Sequence, residues 1–298
     1  LNLAQTKLMH VSIPDNIKCV FDAQSTSEMA SNTRAADRHE LLTTTLAETT
    51  EPCWIVDPTP ETIEAVIDAA SDGNTPPQIR LLAAEDTLKT TFEDFLVASR
   101  TADLVADTEL AVRTLGDGTA NSLVITERAV TAVVAAGQQV AGLRTDDPEF
   151  VETTREEIAD RWADAEAFRL RTPAISEIRA TLSDDIGGAV REDFDTLLDS
   201  LETADDDTVL DEVTIALLIA AKNEVLLYDI SKWGEDVGIA SKATFSRTKS
   251  RLEDANVITT EKVPIDVGRP RLRLQLGDDR LRTAETADLA DVAAELLG

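Results

Sequence analysis

The side chains best suited to specific contacts lie between Ser241 and Ala255, where hydroxyl and cationic residues recur at helical spacing. Advancing about 100° per residue places Phe245 and Leu252 on one side of a helix and Arg247 near the centre of the other. Small residues allow a partner to approach closely. Arginine can donate two parallel hydrogen bonds, and serine or threonine can bond bases or phosphates. Such a face suits the major groove of a nucleic acid duplex, although an ordinary solvated face is the alternative.

The neighbouring segments have the order of a helix-turn-helix followed by a wing. Apolar residues recur at helical spacing in 211–221 and 227–237, and 257–263 and 271–276 alternate like two strands of a hairpin. The pattern predicts a recognition helix, 241–255, in the major groove and a wing, 264–273, on the DNA backbone, with Arg269 at its tip. An edge hairpin whose charges prevent aggregation is the alternative for the wing. The residues predicted to contact DNA are Ser241, Lys242, Ala243, Thr244, Ser246, Arg247, Ser250, Arg251, Arg269 and Arg271.

The charge distribution favours nucleic acid contact at this region. From Ile239 to Arg273 there are eight basic and four acidic residues, a net charge of +4, whereas the whole chain carries −29 and the remainder therefore −33. An anionic body repels DNA, so binding is expected only where the positive segment is presented.

The composition places the chain among structured, acidic proteins. Its 57 acidic residues are interleaved with periodic apolar residues, which argues against disorder. This surface resembles that of proteins from salt-loving archaea. Two cysteines and two histidines are too few for the usual zinc spacing, and no catalytic or cofactor-binding motif is present. We therefore predict a cytoplasmic protein that is not an enzyme, has no cofactor, metal site or disulfide framework, and does not contact a membrane.

Taken as a whole, the sequence predicts an α/β N-terminal domain plus an α+β winged helix-turn-helix C-terminal domain. Strand, helix, strand and helix alternate from residue 53 to residue 99, which favours parallel strands. Single helices are expected over 85–99, from 146 to about 170, and from 278 onward. The predicted divisions are a disordered or upstream extension (1–28), an α/β regulatory or dimerisation domain (29–171), a helical connector (172–207), the winged helix-turn-helix (208–277) and a C-terminal helix (278–298).

Two stretches carry a family resemblance. The sequence Val237-Gly-Ile-Ala-Ser-Lys-Ala-Thr-Phe-Ser-Arg247 resembles the turn and recognition helix of archaeal winged-helix regulators, and Leu252–Ile258 resembles the exit from that helix. From about Met29, including Trp54–Asp57 and Trp233–Gly238, the chain resembles the haloarchaeal TbsP family of transcriptional regulators. Lys249 stands where such helices often carry leucine, so we expect its aliphatic stem to pack there. Leu1–Glu28 has no counterpart in the resemblance.

The resemblance implies a DNA-binding regulator of metabolic genes in a halophilic archaeon. Its partners would be double-stranded DNA and a second copy of the chain, and the N-terminal domain would dimerise or sense a small-metabolite effector. The alternative is a winged-helix protein-interaction module that acts on the transcription machinery without reading DNA.

Overall fold

The computed structural model describes residues 33–71, 78–116, 118, 121–137, 139–203, 210–264 and 270–298. The predicted N-terminal extension, 1–28, lies outside these residues. Among the described residues, no helix combines the length and apolar character needed to cross a membrane.

The N-terminal part is built on an eight-stranded mixed sheet. Its spatial order is β1-β7-β6-β5-β2-β3-β4-β8, in which β2, β3 and β4 are parallel and the other pairings are antiparallel. The parallel centre confirms the prediction from strand–helix alternation. The strands are β1 (Thr33–Ala35), β2 (Cys53–Val56), β3 (Ile79–Ala84), β4 (Leu110–Leu115), β5 (Leu123–Ile125), β6 (Val130–Ala136), β7 (Gln139–Thr145) and β8 (Glu166–Ala167).

Four helices cover one face of this sheet: α1 (Arg38–Ala47), α2 (Pro60–Ser71), α3 (Glu85–Thr91) and α4 (Phe95–Ala106). The single helix predicted over 85–99 is wrong, because the chain leaves the helical path after Thr91. Asp94 starts a new helix there, since its carboxylate accepts a hydrogen bond from the backbone N–H of Val97 (3.0 Å).

One helix, α5 (Pro148–Asp164), packs on the opposite face against Trp54, Val56 and Ile125. The prediction that it continues to about residue 170 is wrong. Nη1 of Arg113 donates hydrogen bonds to the carbonyl oxygens of Trp162 (2.6 Å) and Ala165 (3.3 Å), which satisfies acceptors at the helix end. The chain then forms β8 on the edge of β4.

The C-terminal part is helical with one small hairpin. Its hydrophobic core includes α8, in which residues 213–221 are all buried. Its elements are α6 (Ile175–Asp185), α7 (Gly188–Thr203), α8 (Glu212–Lys222), α9 (Leu227–Val237), α10 (Lys242–Asp254), β9 (Ile258–Val263), β10 (Arg271–Leu276), α11 (Asp279–Thr283) and α12 (Leu289–Leu297).

The last helix is interrupted, in contrast to the single helix predicted from residue 278. A short 3-10 turn, Thr286–Asp288, separates α11 from α12. The hydroxyl of Thr286 donates a hydrogen bond to the Asp193 carboxylate (3.0 Å), which also accepts from Lys222 and Asn223. These donors outweigh desolvation and lower the pKa of Asp193. This ionic cluster therefore fixes the position at which the chain turns.

The two parts meet where α4 contacts the start of α6. The hydroxyl of Ser99 donates to the carbonyl oxygen of Pro173 (3.0 Å), and the Asp103 carboxylate accepts from the backbone N–H (3.1 Å) and hydroxyl (2.5 Å) of Ser176. Phe95 of α4 also belongs to the C-terminal core. The junction is thus held by side chains of the N-terminal part.

The thiol of Cys53 is buried at the centre of the sheet, and this burial raises its pKa to about 12. Because a thiol must ionise to react, Cys53 in a Cys19→Ser variant should resist a disulfide reagent at pH 8 until the chain unfolds. The unfolded chain loses this proton near its ordinary pKa of 9.0, so the group's contribution to stability should fall as pH rises from there toward 12. Rapid stoichiometric labelling of the folded chain at pH 8 would contradict this.

Candidate nucleic-acid interface

The start of α10 is defined by the turn that precedes it. Gly238 ends α9 in the left-handed region (φ 96°), and the backbone N–H of Ile239 donates to the Gly234 carbonyl oxygen (2.8 Å). The Ser241 hydroxyl then accepts from the backbone N–H of Thr244 (3.2 Å). Ser241 is therefore the N-cap of the helix, as its sequence position predicts.

The inner face of α10 is apolar and holds the helix against its own domain. Phe245 and Leu252 are both 0 % exposed. The side chain of Lys249 is only 14 % exposed, and its ammonium group pairs with Glu253 (2.6 Å). The aliphatic stem of Lys249 is thus largely buried on the inner face of α10, as expected.

The outer face consists of the residues that the helical spacing placed there. Ala243, Ser246, Arg247 and Ser250 are all exposed, and Thr244 is half-buried at the margin. The Ser250 hydroxyl donates to the carbonyl oxygen of Ser246 (3.1 Å), so it lies along the helix rather than projecting from it. The side chains on the outer face of α10 are therefore short, except for Arg247, which is the longest of them.

Arg247 differs from the other cations of α10 in its contacts. Lys242 pairs with Glu235 (2.6 Å), which raises the pKa of Lys242, and Lys249 pairs with Glu253. Arg247 contacts the hydroxyl of Thr244 at 3.4 Å and has no carboxylate partner among the described residues. Its guanidinium is thus available for an external acceptor.

Arg251 is exposed but is committed to the scaffold. Its Nη2 donates to the Asp211 carboxylate (2.9 Å) and to the hydroxyl of Thr214 (2.9 Å). Asp211 is also the N-cap of α8, because its carboxylate accepts from the backbone N–H of Thr214 (2.7 Å). Arg251 therefore joins α10 to α8, and contact with DNA would compete with this pairing.

The hairpin β9–β10 supplies the base of the wing. Residues 271–276 pair antiparallel with residues 258–263, and Leu226 forms a bridge to Arg273 on the other side. Leu274 is buried, whereas Leu272 and Leu276 are only half-buried, so the inward-facing side of β10 is only partly covered. Arg269, predicted at the wing tip, lies outside the described residues.

An exposed aromatic residue beside the wing was not predicted. Tyr228, in the first turn of α9, is 49 % exposed, and the guanidinium of Arg271 lies 4.4 Å from its ring centroid. Arg271 also approaches the Asp229 carboxylate (3.4 Å). Arg271 is thus half-buried between α9 and the hairpin. One sequence signal could have indicated this contact: Tyr228, the only tyrosine of the chain, lies at the start of a predicted helix of the motif.

The solved structures to which this chain is similar include three distant likenesses. TrmBL2, an archaeal chromatin protein whose structure is described as showing a novel mode of DNA binding, is 17% identical over 49% of this chain and 57% of its own, with a TM-score of 0.35. The phospholipase D family member Nuc from Salmonella typhimurium and NucT from Helicobacter pylori are each 13% identical. They cover 47% and 46% of this chain and 98% and 99% of their own, both with TM-scores of 0.33. These scores are too low to carry an argument about function.

The family comparison gives a direct assignment. No curated protein matches the chain. Residues 30–173 match the N-terminal domain described as "Transcriptional regulator TbsP-like", and residues 174–294 match the C-terminal helix-turn-helix domain of the same description. The second range contains α8, α9, α10 and the hairpin. The chain therefore belongs to the TbsP-like family of transcriptional regulators, whose DNA-binding helix-turn-helix domain it carries.

Proposed function

We propose that the chain is a sequence-specific regulator that inserts the outer face of α10 into the major groove. The observation that carries this proposal is the outward guanidinium of Arg247, on a face of small and hydroxyl-bearing residues. It has no carboxylate partner in the part of the chain that the structure describes. Such a group can bond the O6 and N7 acceptors of a guanine in a bidentate manner. The proposed contact residues are those predicted from the sequence: Ser241, Lys242, Ala243, Thr244, Ser246, Arg247, Ser250 and Arg251, with Arg269 and Arg271 from the wing.

The contacts of this set support a division of roles. Lys242 and Arg251 already have carboxylate partners, so they would exchange an internal ion pair for a phosphate and gain less from it. Arg271 stacks on Tyr228, and this placement suits a contact with the DNA backbone beside the wing. Specificity is therefore assigned to Arg247, and orientation on the duplex to the others.

We further propose that the host is a halophilic archaeon and that the targets are metabolic genes. A net charge of −29 on 298 residues is suited to a salt-rich cell interior, where an acidic surface stays hydrated. Because counterion release weakens as salt rises, phosphate contacts alone would bind poorly there. A binder in such conditions depends more on groove fit and on two-fold pairing of half-sites.

The proposed dimer interface is the uncovered part of the sheet face that carries α5. Leu143 is 48 % exposed and Val134 is 43 % exposed. Leu143 pairs with Ala132, and Val134 lies two residues further along β6, so both side chains are on one face as diagonal neighbours. Two copies of so acidic a chain would meet with least repulsion at an apolar area, which makes a second copy the proposed occupant.

Leu143→Asp should shift the chain toward monomer, because it places two carboxylates in the proposed interface. We expect the dissociation constant of the dimer to rise at least about tenfold, as a few kcal/mol of apolar burial and charge repulsion require. Light scattering after size exclusion would measure this, with Arg128→Gln at another exposed site as the control, because it changes the charge by the same one negative unit. A wild-type chain that is monomeric at high concentration, or a dimer unaffected by Leu143→Asp, would contradict the interface.

In vitro selection tests the proposed function without assuming a target. The full chain, at constant potassium chloride, is incubated with random duplexes, and the bound fraction is amplified and sequenced. A recurring motif with two-fold symmetry supports the proposal. If no motif emerges and the chain instead binds a basal transcription factor with no footprint on DNA, the alternative of a protein-interaction module is favoured.

A further inference from the structure

A shallow cavity of about 460 Å³ opens along the edge of β4, between the end of α4 and the end of α5. Thr108 lines it after α4, and Trp162 lines it from α5. Among the described residues, β8 pairs with this edge at Arg113 and Thr114, and the backbone of Phe168 bonds Val112, so only the start of β4 is open on that side. Cavities of about 300–1,000 Å³ are the usual size for small-molecule sites.

Two arginines line this cavity from the same face of the sheet. Arg80 of β3 pairs in register with Ala111 of β4, and Arg113 lies two residues further along β4, so both side chains leave the sheet on the α5 side. The described lining includes no carboxylate. In a chain with 57 acidic and 28 basic residues, this is a local concentration of positive charge.

Both guanidinium groups are oriented but have unused donors. Arg113 is held through Nη1 by two carbonyl oxygens and lies 4.8 Å from the Trp162 ring centroid. Arg80 lies 5.1 Å from the ring centroid of Trp54. Within the described part of the chain, neither Nε and Nη2 of Arg113 nor any guanidinium nitrogen of Arg80 has a hydrogen-bond partner. Arginines placed by stacking with free N–H groups can receive an anion without reorganising.

We propose that this cavity binds a small organic anion. Arg80 and Arg113 hold its carboxylate or phosphate group, and its apolar part packs against Trp162, which lies on the same face of the sheet. Phe168, which also lines the cavity, is attached to the sheet, because its backbone N–H donates to the Val112 carbonyl oxygen (3.0 Å). From there the chain leads to α6.

This position gives the site a regulatory consequence, which rests on the proposed function. A ligand that contacts Phe168 fixes the segment through which the helix-turn-helix domain is attached to the sheet. Occupancy should therefore change the affinity of the chain for its selected DNA site. Binding of the anion itself does not depend on this consequence.

The site is tested by calorimetry on the full chain with three probes: phenyl phosphate, benzoate and uncharged benzyl alcohol. At constant potassium chloride, phenyl phosphate, benzoate or both should bind saturably with a stoichiometry of one per chain and should quench tryptophan fluorescence. Benzyl alcohol should neither bind nor quench. The stronger anion identifies phosphate or carboxylate as the preferred group. Arg80→Gln should weaken binding at least about tenfold, the loss expected for a charge-assisted bidentate pair. Arg80→Lys, which keeps the charge but not the fork, should weaken it less.

Arg169→Gln is the matched control, because Arg169 is exposed and lines the neighbouring cavity but not this one. Its affinity should stay within about twofold of wild type, since no charge-assisted bond is lost. The proposal is overturned if neither anion binds, if benzyl alcohol binds equally well, or if folded Arg80→Gln and Arg80→Lys both bind as wild type. Weakening by Arg169→Gln alone also overturns it. An anion that binds without changing DNA affinity contradicts only the regulatory consequence, and a chain that binds no DNA still gives the calorimetric answer.

Discussion

Arg247→Ala is expected to weaken binding to the selected DNA site by about one to two orders of magnitude, because one bidentate contact to a base contributes about 1–3 kcal/mol of discrimination. The loss should be confined to the specific site, and affinity for unrelated duplex should change much less. Fluorescence anisotropy at constant potassium chloride measures both quantities. The fold should be unaffected, since Arg247 is exposed and its one described contact is the long bond to Thr244.

Two controls separate base reading from loss of charge. Arg128→Ala removes the same charge from a side chain that is 75% exposed in the N-terminal part, so it should leave DNA affinity unchanged. Arg247→Lys keeps the charge but loses the planar fork, so it should retain non-specific binding and lose much of the specificity. Equal losses in Arg247→Ala and Arg128→Ala would mean that overall charge, rather than a groove contact, determines binding.

Gly234→Ala is expected to lower the free energy of unfolding by about 1–3 kcal/mol, the usual effect of overpacking a rigid core. A Cβ at Gly234 would lie 2.4 Å from two ring carbons of Phe245, which is 0 % exposed and anchors α10. The helix propensity of alanine contributes at most about 1 kcal/mol in the opposite direction. The clash should therefore outweigh the gain in helix propensity, so that Gly234→Ala is destabilising. Chemical denaturation measures this change in the free energy of unfolding.

The same substitution elsewhere in the chain provides the control. Gly188 begins α7, and a Cβ there meets no atom of the described residues within 4 Å, so Gly188→Ala should be neutral or slightly stabilising. In the Gly234→Ala background, Phe245→Leu should cost less than it does in wild type, because it relieves the contact. Additive losses in the double variant, or a stabilised Gly234→Ala, would refute close packing of α9 on α10.

Periodicity and capping predicted α10 well because those signals are local. Phe245 and Leu252 face the core, Arg247 faces solvent, and Ser241 caps the helix, all within one stretch of fifteen residues. The hydrophobic alternation of the hairpin is equally local. Gly234 is the instructive exception. A glycine within a helical pattern indicates only a lower helix propensity, whereas the structure shows that α9 and α10 approach too closely there for any side chain.

The features that sequence reasoning missed depend on contacts between distant residues. The end of α5 is set by Arg113, which reaches carbonyl oxygens about fifty residues later in the chain (sequence separations of 49 and 52). The commitment of Arg251 to Asp211 spans 40 residues, so a count of basic residues treated it as free. The arginine-lined cavity likewise requires the register of β3 with β4. Sequence patterns report which face a residue occupies, but not which partner it meets there.

The most direct test of the account is dimethyl sulfate protection on the selected duplex, because the reagent attacks guanine N7 in the major groove. Bound wild-type chain should protect guanines in each half-site, and Arg247→Ala, at concentrations that restore occupancy, should lose protection at one of them. A bound duplex whose guanine N7 atoms all react as in free DNA would contradict placement of α10 in the major groove.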